Sequence, residues 1–453
     1  MQPSNNRKSL ASDPFSRISC FFITGNPKLT LFNVAYSLFL LRLFVLMARD
    51  YFLPQSYCNG FSEFMINYQG GFVRRGLLGE ILFFFAKSEV FDLEQTLKVF
   101  CLLCFLAVCV FFVRSFLKRG YLLYILPLCI FLGMGASFGS WTRKDYFLMG
   151  IFILVFWMLN KKTPWFWKML AMNAFCVFAI LNHEAFALFT LPLVYLSIIA
   201  HYRAKGFVQA VFCPPLCLAP SIVALMAVVL MHGNHETAQT IWSAWQGRIT
   251  IPPEIPTMGS SVNALAWSLQ DAFDFHLHTN FCIVDRGVSS FVAWCFIVPT
   301  VYYIATNFLY AFRKDTASFT CRHRNILGAL LIFQGVCLLP LFVVFSCDYV
   351  RLVFYVVASS YAVFLLTPLE HIEAWFPAAY VRILGHIHAR AEAILPPSKT
   401  ILALLMLFIG VPPQGFSIEW TFQASIAYNV LNILSTPFRL YFSVAGIPTQ
   451  SLF

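Results

Sequence analysis

Charge is what this chain has least of. Only 11% of its 453 residues are Asp, Glu, Lys or Arg, against 59% that are hydrophobic. A soluble domain carries about 25% charged residues. The scarcity excludes a water-soluble globular enzyme, and the apolar excess excludes a disordered chain. The apolar runs do not alternate in the ten-residue strands of an outer-membrane barrel, which excludes that class too. The polar N-terminal stretch, with Arg7, Lys8, Arg17 and Lys28, lacks the short apolar core and small-residue cleavage site of a signal peptide. The first apolar run is therefore expected to stay as an anchor. Internal repeats are absent, and the polar stretch 371–399 is too short for a soluble domain. Any chemistry must lie in the membrane-embedded part or its loops.

Metal-ligand spacing is missing as well. Most of the 14 cysteines lie inside apolar runs, where they behave as small apolar residues. Cys101 and Cys104 form a CxxC, but no His or Asp is near it. No metal and no other cofactor is expected. The net charge of +11 does not indicate a nucleic-acid partner, because the basic residues fall between apolar runs.

What is there is a series of continuous apolar runs, each of about the length that crosses the hydrocarbon core as a helix. The spans are 30–49, 96–116, 121–139, 145–160, 167–183, 185–201, 207–231, 290–312, 325–345, 351–369 and 400–413, with a weaker one at 428–446 that contains Pro437 and Arg439. The fold class is all-α: a polytopic transmembrane helical bundle of about 11–12 spans. Residues 1–29 form a cytoplasmic tail and 30–453 a single transmembrane domain. Arg114, Lys118 and Arg119, then Lys161, Lys162 and Lys168, then Arg203 and Lys205, then Arg313, Lys314, Arg322 and Arg324, and finally Arg382, Arg390 and Lys399 all fall on one side if the N-terminus is cytoplasmic. The positive-inside rule then sets the orientation. Loops 50–95 and 232–289 lie outside. Each carries an expected interfacial helix, at 71–86 and 262–276, the second preceded by Pro252, Pro253 and Pro256.

Ionisable groups at membrane depth are costly and usually functional. This topology places five clusters of them on the outer side. They are Arg49-Asp50, the run Gly70–Glu80 (GGFVRRGLLGE), Trp141-Thr142-Arg143-Lys144-Asp145, Asn182-His183-Glu184, and Ser346-Cys347-Asp348-Tyr349-Val350-Arg351. Gly76 and Gly79 leave room for a neighbouring backbone or a ligand. Singly, each cluster has a structural reading: Asp348–Arg351 as a salt bridge, Arg74-Arg75 as snorkelling cations, His183-Glu184 as a satisfied polar turn. Together, with both signs of charge in several short outer turns, they describe one outward-facing polar cavity. Its cations suit phosphate or pyrophosphate, with Arg offering bidentate contacts. Its carboxylates and His suit acid–base chemistry.

GGFVRRGLLGE, the RKD turn, the HE turn and the DYVR turn resemble those of bacterial multi-spanning proteins of surface-polysaccharide synthesis. The layout is similar to the GT-C superfamily of membrane glycosyltransferases and, to a lesser degree, to the O-antigen polymerases. The resemblance implies a polyprenyl-(pyro)phosphate-linked sugar donor, an acceptor glycan or lipid-linked glycan, a place in the bacterial inner membrane, and an active periplasmic face. It implies an essential acid at the end of the first helix, where Asp50 stands. The chain departs from the superfamily in having no paired acids after the first span and no large soluble C-terminal domain. On this reading Asp50, His183 and Glu184 are the catalytic candidates. Arg74, Arg75, Arg143, Lys144 and Arg351 hold the phosphates, and Glu80, Asp145 and Asp348 orient them. Trp242, Trp245 and Trp267 are candidates to stack on sugars or to anchor at the interface. The rivals are a transporter or flippase for a lipid-linked or anionic solute, and a non-catalytic subunit of a polysaccharide assembly machine.

Overall fold

The computed structural model describes residues 27–54, 59–86, 92–119, 126, 129, 141–246, 248, 260–282, 284–285, 287–311, 321–339, 349–409 and 425–444. The expected span 121–139 lies almost wholly outside them, as do Asp348, Pro252, Pro253 and Pro256. The described part is an all-α bundle. In chain order its elements begin with α1 (Pro27–Phe52), α2 (Asn59–Met65), α3 (Gly76–Phe85), α4 (Leu93–Lys118), α5 (Asp145–Leu159), α6 (Trp165–Asn182) and α7 (Ala185–Arg203). There follow α8 (Phe207–Cys217), α9 (Ala219–Leu230), α10 (His235–Trp245), α11 (Leu269–Leu277), α12 (Ser290–Ala311), α13 (Cys321–Leu339) and α14 (Tyr349–Leu366). The last are α15 (Leu369–Glu373), α16 (Ala378–Ile394), α17 (Lys399–Ile409) and α18 (Ile426–Val444). The strand content described is one two-residue hairpin, 284–285 with 288–289.

Six of these helices, α1, α4, α6, α7, α12 and α14, are long and apolar enough to cross a membrane. The expected span 207–231 is instead two helices, α8 and α9, meeting at 51°. Pro214, Pro215 and Pro220 explain the bend, because proline removes a ladder donor and crowds the preceding turn. α14 is the central helix: 89% of its apolar window is buried, against 33% for α1 and for α4 at the rim. Interior amides tie helices together where apolar contact alone gives little specificity. Gln334 of α13 donates to the Phe189 carbonyl and to Ser359 Oγ on α14. Asn173 of α6 donates to the Cys217 carbonyl and accepts from Ser221 on α9.

A second, smaller apolar core forms a cap over one end of the bundle. It joins α2, α3, the start of α4, α10 and a 3-10 turn at Asn263–Ala266. Both outer loops of the expected topology therefore fold against each other. Trp245 Nε1 donates to the Met65 carbonyl at 2.8 Å, and the Arg74 N–H donates to the Met231 carbonyl at 3.1 Å. This corrects the role considered for Trp242 and Trp245: both are cap core residues, buried among α2, α3 and the 3-10 turn, and do not stand free to stack on a sugar. The helix expected at 71–86 starts only at Gly76, because 67–75 forms turns held by Glu80. The helix expected at 262–276 is broken at Trp267, where Ser268 starts α11 with a capping box to Asp271.

Two glycines let α3 seat in the cap. A Cβ on Gly79 would lie 1.8 Å from the Ile66 carbonyl oxygen, and one on Gly76 would lie 2.3 Å from the Tyr68 ring. Gly79→Ala is expected to cost about 1–3 kcal/mol or more of stability, as overpacking does. Gly150→Ala, in open space on α5, is expected to be neutral or stabilising by up to about 1 kcal/mol. Thermal unfolding of the two variants in detergent checks the contrast, and equal midpoints would show that α3 is not clamped in this way.

Candidate functional site

The charged groups gather where the cap meets the bundle. α5 is 15 residues long, about 22 Å at 1.5 Å per residue, and too short to cross a core of about 30 Å. Asp145, its first residue, is fully buried and meets the first two turns of α14. Arg351 Nε donates to Asp145 Oδ1 at 2.8 Å, and the Tyr355 hydroxyl donates to the same oxygen at 2.5 Å. Arg143 Nε lies 3.1 Å from Oδ2. That contact is a charge pair rather than an aligned hydrogen bond, since Oδ2 has no hydrogen-bond partner among the described residues.

Across from Asp145 stands the turn between α6 and α7. Glu184 receives Arg75 in a two-toothed contact: Nε lies 2.9 Å from Oε2 and 3.1 Å from Oε1, and Nη2 pairs with Oε1 as well. Arg74 Nη1 reaches Glu184 at 4.0 Å, while its Nη2 donates to the Ala264 carbonyl. Arg75 is strained. It has φ 65° and ψ 7°, and it is the positive-φ residue other than glycine among the described residues. A side chain in that conformation costs of order 1–3 kcal/mol and persists where its surroundings over-determine it. Here the Glu184 carboxylate holds the side chain, and Lys144 Nζ donates to the Arg75 carbonyl at 3.2 Å. The same ammonium donates to the Asn182 carbonyl at 3.2 Å and stands over the Phe64 ring. The Asn182 side-chain oxygen accepts from the Leu78 N–H at 2.8 Å. Lys144 and Asn182 thus clamp the start of α3 to the bundle.

His183 lies between the two halves. Its Nε2 is 3.3 Å from Arg351 Nη2 and 3.9 Å from Glu63 Oε1, and its Nδ1 accepts from the Ala185 N–H at 3.2 Å. Glu63 also stands 3.6 Å from Arg75. Neutral imidazole has one donor and one acceptor nitrogen, yet both nitrogens face donors. If Nδ1 accepts from Ala185, the proton sits on Nε2 and points at Glu63. If Nε2 accepts from Arg351, the Ala185 contact is lost. The ring is therefore poised between two tautomers.

Burial lowers the His183 pKa well below 6.5, and the Arg75 cation adds to this. Burial pushes Glu184 up, but Arg75 more than offsets it and holds the carboxyl well below the usual range. Burial also brings Lys144 down to about 8. Counted by charge, Arg74, Arg75, Arg143, Lys144 and Arg351 face Glu63, Asp145 and Glu184 around a neutral His183.

The structure thus brings together Arg74, Arg75, Arg143, Lys144, Asp145, His183, Glu184 and Arg351. Glu80 stands apart. Its carboxylate accepts from the Tyr68 N–H and the Gln69 side chain, each at 2.8 Å, and so shapes the turn leading to Arg74. Asp50 is buried at the end of α1 and is engaged by Arg49 at 2.6 and 2.8 Å. It adjoins the site through Trp141, whose indole N–H donates to the Met47 carbonyl and whose ring packs on Tyr51. Asp348 lies outside the described residues. Sequence reasoning missed Glu63 and Tyr355. Glu63 is a lone acid in a seven-residue apolar helix, which was its only signal, and Tyr355 follows Arg351 by one helical turn. Among the described residues no group of three or more His, Cys, Asp or Glu is placed to hold a metal ion.

One family model, that of the uncharacterised membrane protein Rv1490, matches residues 31–285. The chain belongs to that family. The Rv1490 match spans α1 to the hairpin, and so takes in Asp50, Glu63, Arg74, Arg75, the RKD turn and the HE turn. Arg351 and Tyr355 come from α14, beyond the matched residues. The match is to a membrane-protein family and supports neither the GT-C nor the O-antigen polymerase resemblance. No curated protein and no solved structure matches the chain.

The pKa directions set a pH dependence. A His neutral when folded and protonated when unfolded makes the unfolded state bind more protons, so stability falls as pH drops through 6.5. Glu184, ionised when folded, adds a second loss as pH drops below about 4.5. The thermal midpoint in detergent is expected to decline in these two stages, and His183→Gln is expected to shrink the first, to which His388, brought down to about 4 by burial, also contributes. A profile identical in that variant would mean that His183 is not held neutral.

Proposed function

We propose that the protein is a glycosyltransferase of the bacterial inner membrane, taking a sugar or oligosaccharide from a polyprenyl-(pyro)phosphate carrier and passing it to an acceptor glycan at the periplasmic face. The observation that carries this reading is the convergence of Arg74, Arg75, Arg143, Lys144 and Arg351 on a neutral histidine under the cap. Fixed cations in a low-dielectric site suit a departing phosphate better than any other common group. Arg74 and Arg75 are partly exposed, and in this reading they meet the carrier phosphates. Lys144, with its ammonium held by two carbonyls, positions Arg75. Arg143 and Arg351 hold Asp145. In the transfer the acceptor hydroxyl oxygen attacks the anomeric carbon, and the carbon–oxygen bond to phosphate breaks. The phosphate leaves with the electron pair, and the hydroxyl proton passes to His183 Nε2 in the tautomer that carries the ring proton on Nδ1. Asp50 is the second candidate base. An anionic ligand neutralising Arg75 and Arg351 raises the His183 pKa toward its ordinary value and so strengthens it as a base. Exposed Phe84 and Phe85 on α3 offer a lipid-facing flank for the prenyl chain, and Trp267 is the remaining aromatic for a sugar.

The helix directions support this orientation. The site joins the ends of α1 and α6 to the starts of α5, α7 and α14, while Lys161, Lys162, Arg203 and Lys205 lie at the other end. In this reading the positive-inside rule makes that other end the cytoplasmic one. The bent pair α8–α9 is the one observation that favours a transporter or flippase, because broken helices line transport sites. The pair carries no charged side chain of its own, although its end at Met231 accepts from the Arg74 N–H.

Cells lacking the protein are expected to lose or truncate their surface-glycan ladder on a gel. Wild type should restore it. Arg75→Ala and His183→Gln, at normal membrane levels, should restore less than about 1% of it, the scale of a lost general base. Asp50→Asn and Glu63→Gln rank the two remaining acids. An unchanged glycan profile in the deletion would falsify the polysaccharide reading and put the transporter first.

A further inference from the structure

We infer that the opposite end of the bundle holds a second binding site, for the phosphate head group of an anionic membrane lipid. A cavity of about 460 Å³ opens between the C-terminal ends of α5, α7 and α14, beside the start of α6 and against α15. Phe156, Leu159 and Trp375 give it an apolar floor. Lys168, His201 and His371 stand at its polar side, and none of its lining residues is acidic. Its volume lies in the range of about 300–1,000 Å³ typical of ligand sites. A bare phosphate would leave most of it empty, whereas a phosphate carrying its ester substituents would fill it.

The polar groups are set for an anion. Lys168 Nζ donates to the Leu159 carbonyl at 2.8 Å, which pins the ammonium at the cavity and leaves two of its three protons available. The His201 ring lies flat on Trp165, with centroids 3.9 Å apart and planes 8° from parallel, so its edge is fixed. The surroundings are those of a head-group layer. Phe166 and Trp167 are 68% and 60% exposed, and Lys161 lies 4.2 Å over the Trp157 ring. Aromatic rings with lysines at helix ends mark the level of the bilayer interface. Of the two acids of α15, Glu373 is paired with Arg322, and Glu370 stands close enough to act on the same guanidinium. The apolar floor and exposed aromatic flank let acyl chains run on along the bundle, which a soluble phosphorylated molecule would not need. Basic pockets between spanning helices are established lipid head-group sites in general. This one is independent of the charged cluster under the cap, which lies at the other ends of α5, α7 and α14.

The test uses the full chain purified in detergent, stripped of lipid, and offered equal amounts of phosphatidylglycerol and phosphatidylcholine before native mass spectrometry. Wild type is expected to retain phosphatidylglycerol over phosphatidylcholine by at least about tenfold, equivalent to about 1.4 kcal/mol. Lys168→Gln, which keeps a donor for Leu159, is expected to bring the ratio close to one. So is Thr163→Asp, which places an acid at the cavity mouth from an exposed loop position and leaves the helices untouched. Thr163→Asn is expected to keep the wild-type ratio. A wild-type protein without preference overturns the proposal. So does glycerol phosphate displacing the lipid at equal concentration, since it would identify a soluble phosphorylated ligand instead. Retention of the preference in both Lys168→Gln and Thr163→Asp would place the lipid elsewhere and overturn it as well.

Discussion

The pairing of Arg75 with Glu184 is the contact on which the rest of this molecule turns. It joins the segment between α1 and α4 to the α6–α7 turn, 109 positions away in sequence. Around it the chain accepts several local costs. Arg75 adopts a left-handed backbone that favours glycine. Gly79 forgoes a side chain so that α3 can lie on the Ile66 carbonyl. Lys144 gives its ammonium to two backbone carbonyls rather than to a carboxylate. Each feature is unfavourable alone. They coexist because the guanidinium must reach Glu184 from that side, and the cap built on α3 supplies the burial that holds it there.

Burying a charge pair seldom gains much stability, since desolvation offsets the attraction. Gathering so many charges at the junction of cap and bundle is therefore not the arrangement that stability alone would select. An apolar junction would hold at least as well. The cluster of cations makes sense if the site spends part of its cycle with an anion in it. Glu63 then has a natural place. Its contacts to Arg75 and His183, at 3.6 and 3.9 Å, are long enough to give way to a phosphate that binds the same cations more closely.

Much of this was legible in the sequence, for reasons that can be named. Apolar runs gave α1, α4, α6, α7 and α14 within a few residues, because lipid and bundle interior demand the same composition along a whole helix. Asn182-His183-Glu184 stood out because polar residues in so tight a turn have nowhere dry to go. The convergence of Arg75, Asp145, His183 and Arg351 followed from counting spans, which put their turns at one end. The partners did not follow. Nothing local says that Arg75 meets Glu184 while Arg351 meets Asp145, since both are long-range choices, 109 and 206 positions apart, fixed by how the helices pack. Glu63 was invisible because a single acid in a short apolar helix has no periodic signature. The bend between α8 and α9 was missed because composition is blind to direction, although three prolines within seven residues carried the information.

The two ends of the bundle divide the charge between them in different ways. At the far end, Lys161, Lys162, Arg203 and Lys205 stand exposed at the rim. Under the cap, cations are drawn inward and matched with acids, and the solvent side is closed by Trp242, Trp245 and the 3-10 turn. Rim cations act through a screened medium, so their individual contributions are small and interchangeable. Cations enclosed with few waters act at short range, so their placement is specific, and moving one changes the protonation of the next. His183 shows the consequence: its neutrality is set jointly by burial, Arg75 and Arg351 rather than by any one contact. A membrane protein that needed only anchoring would have no reason to build the second arrangement. One that must hold a charged head group still while a neighbouring bond breaks needs both the fixed cations and a neutral base beside them.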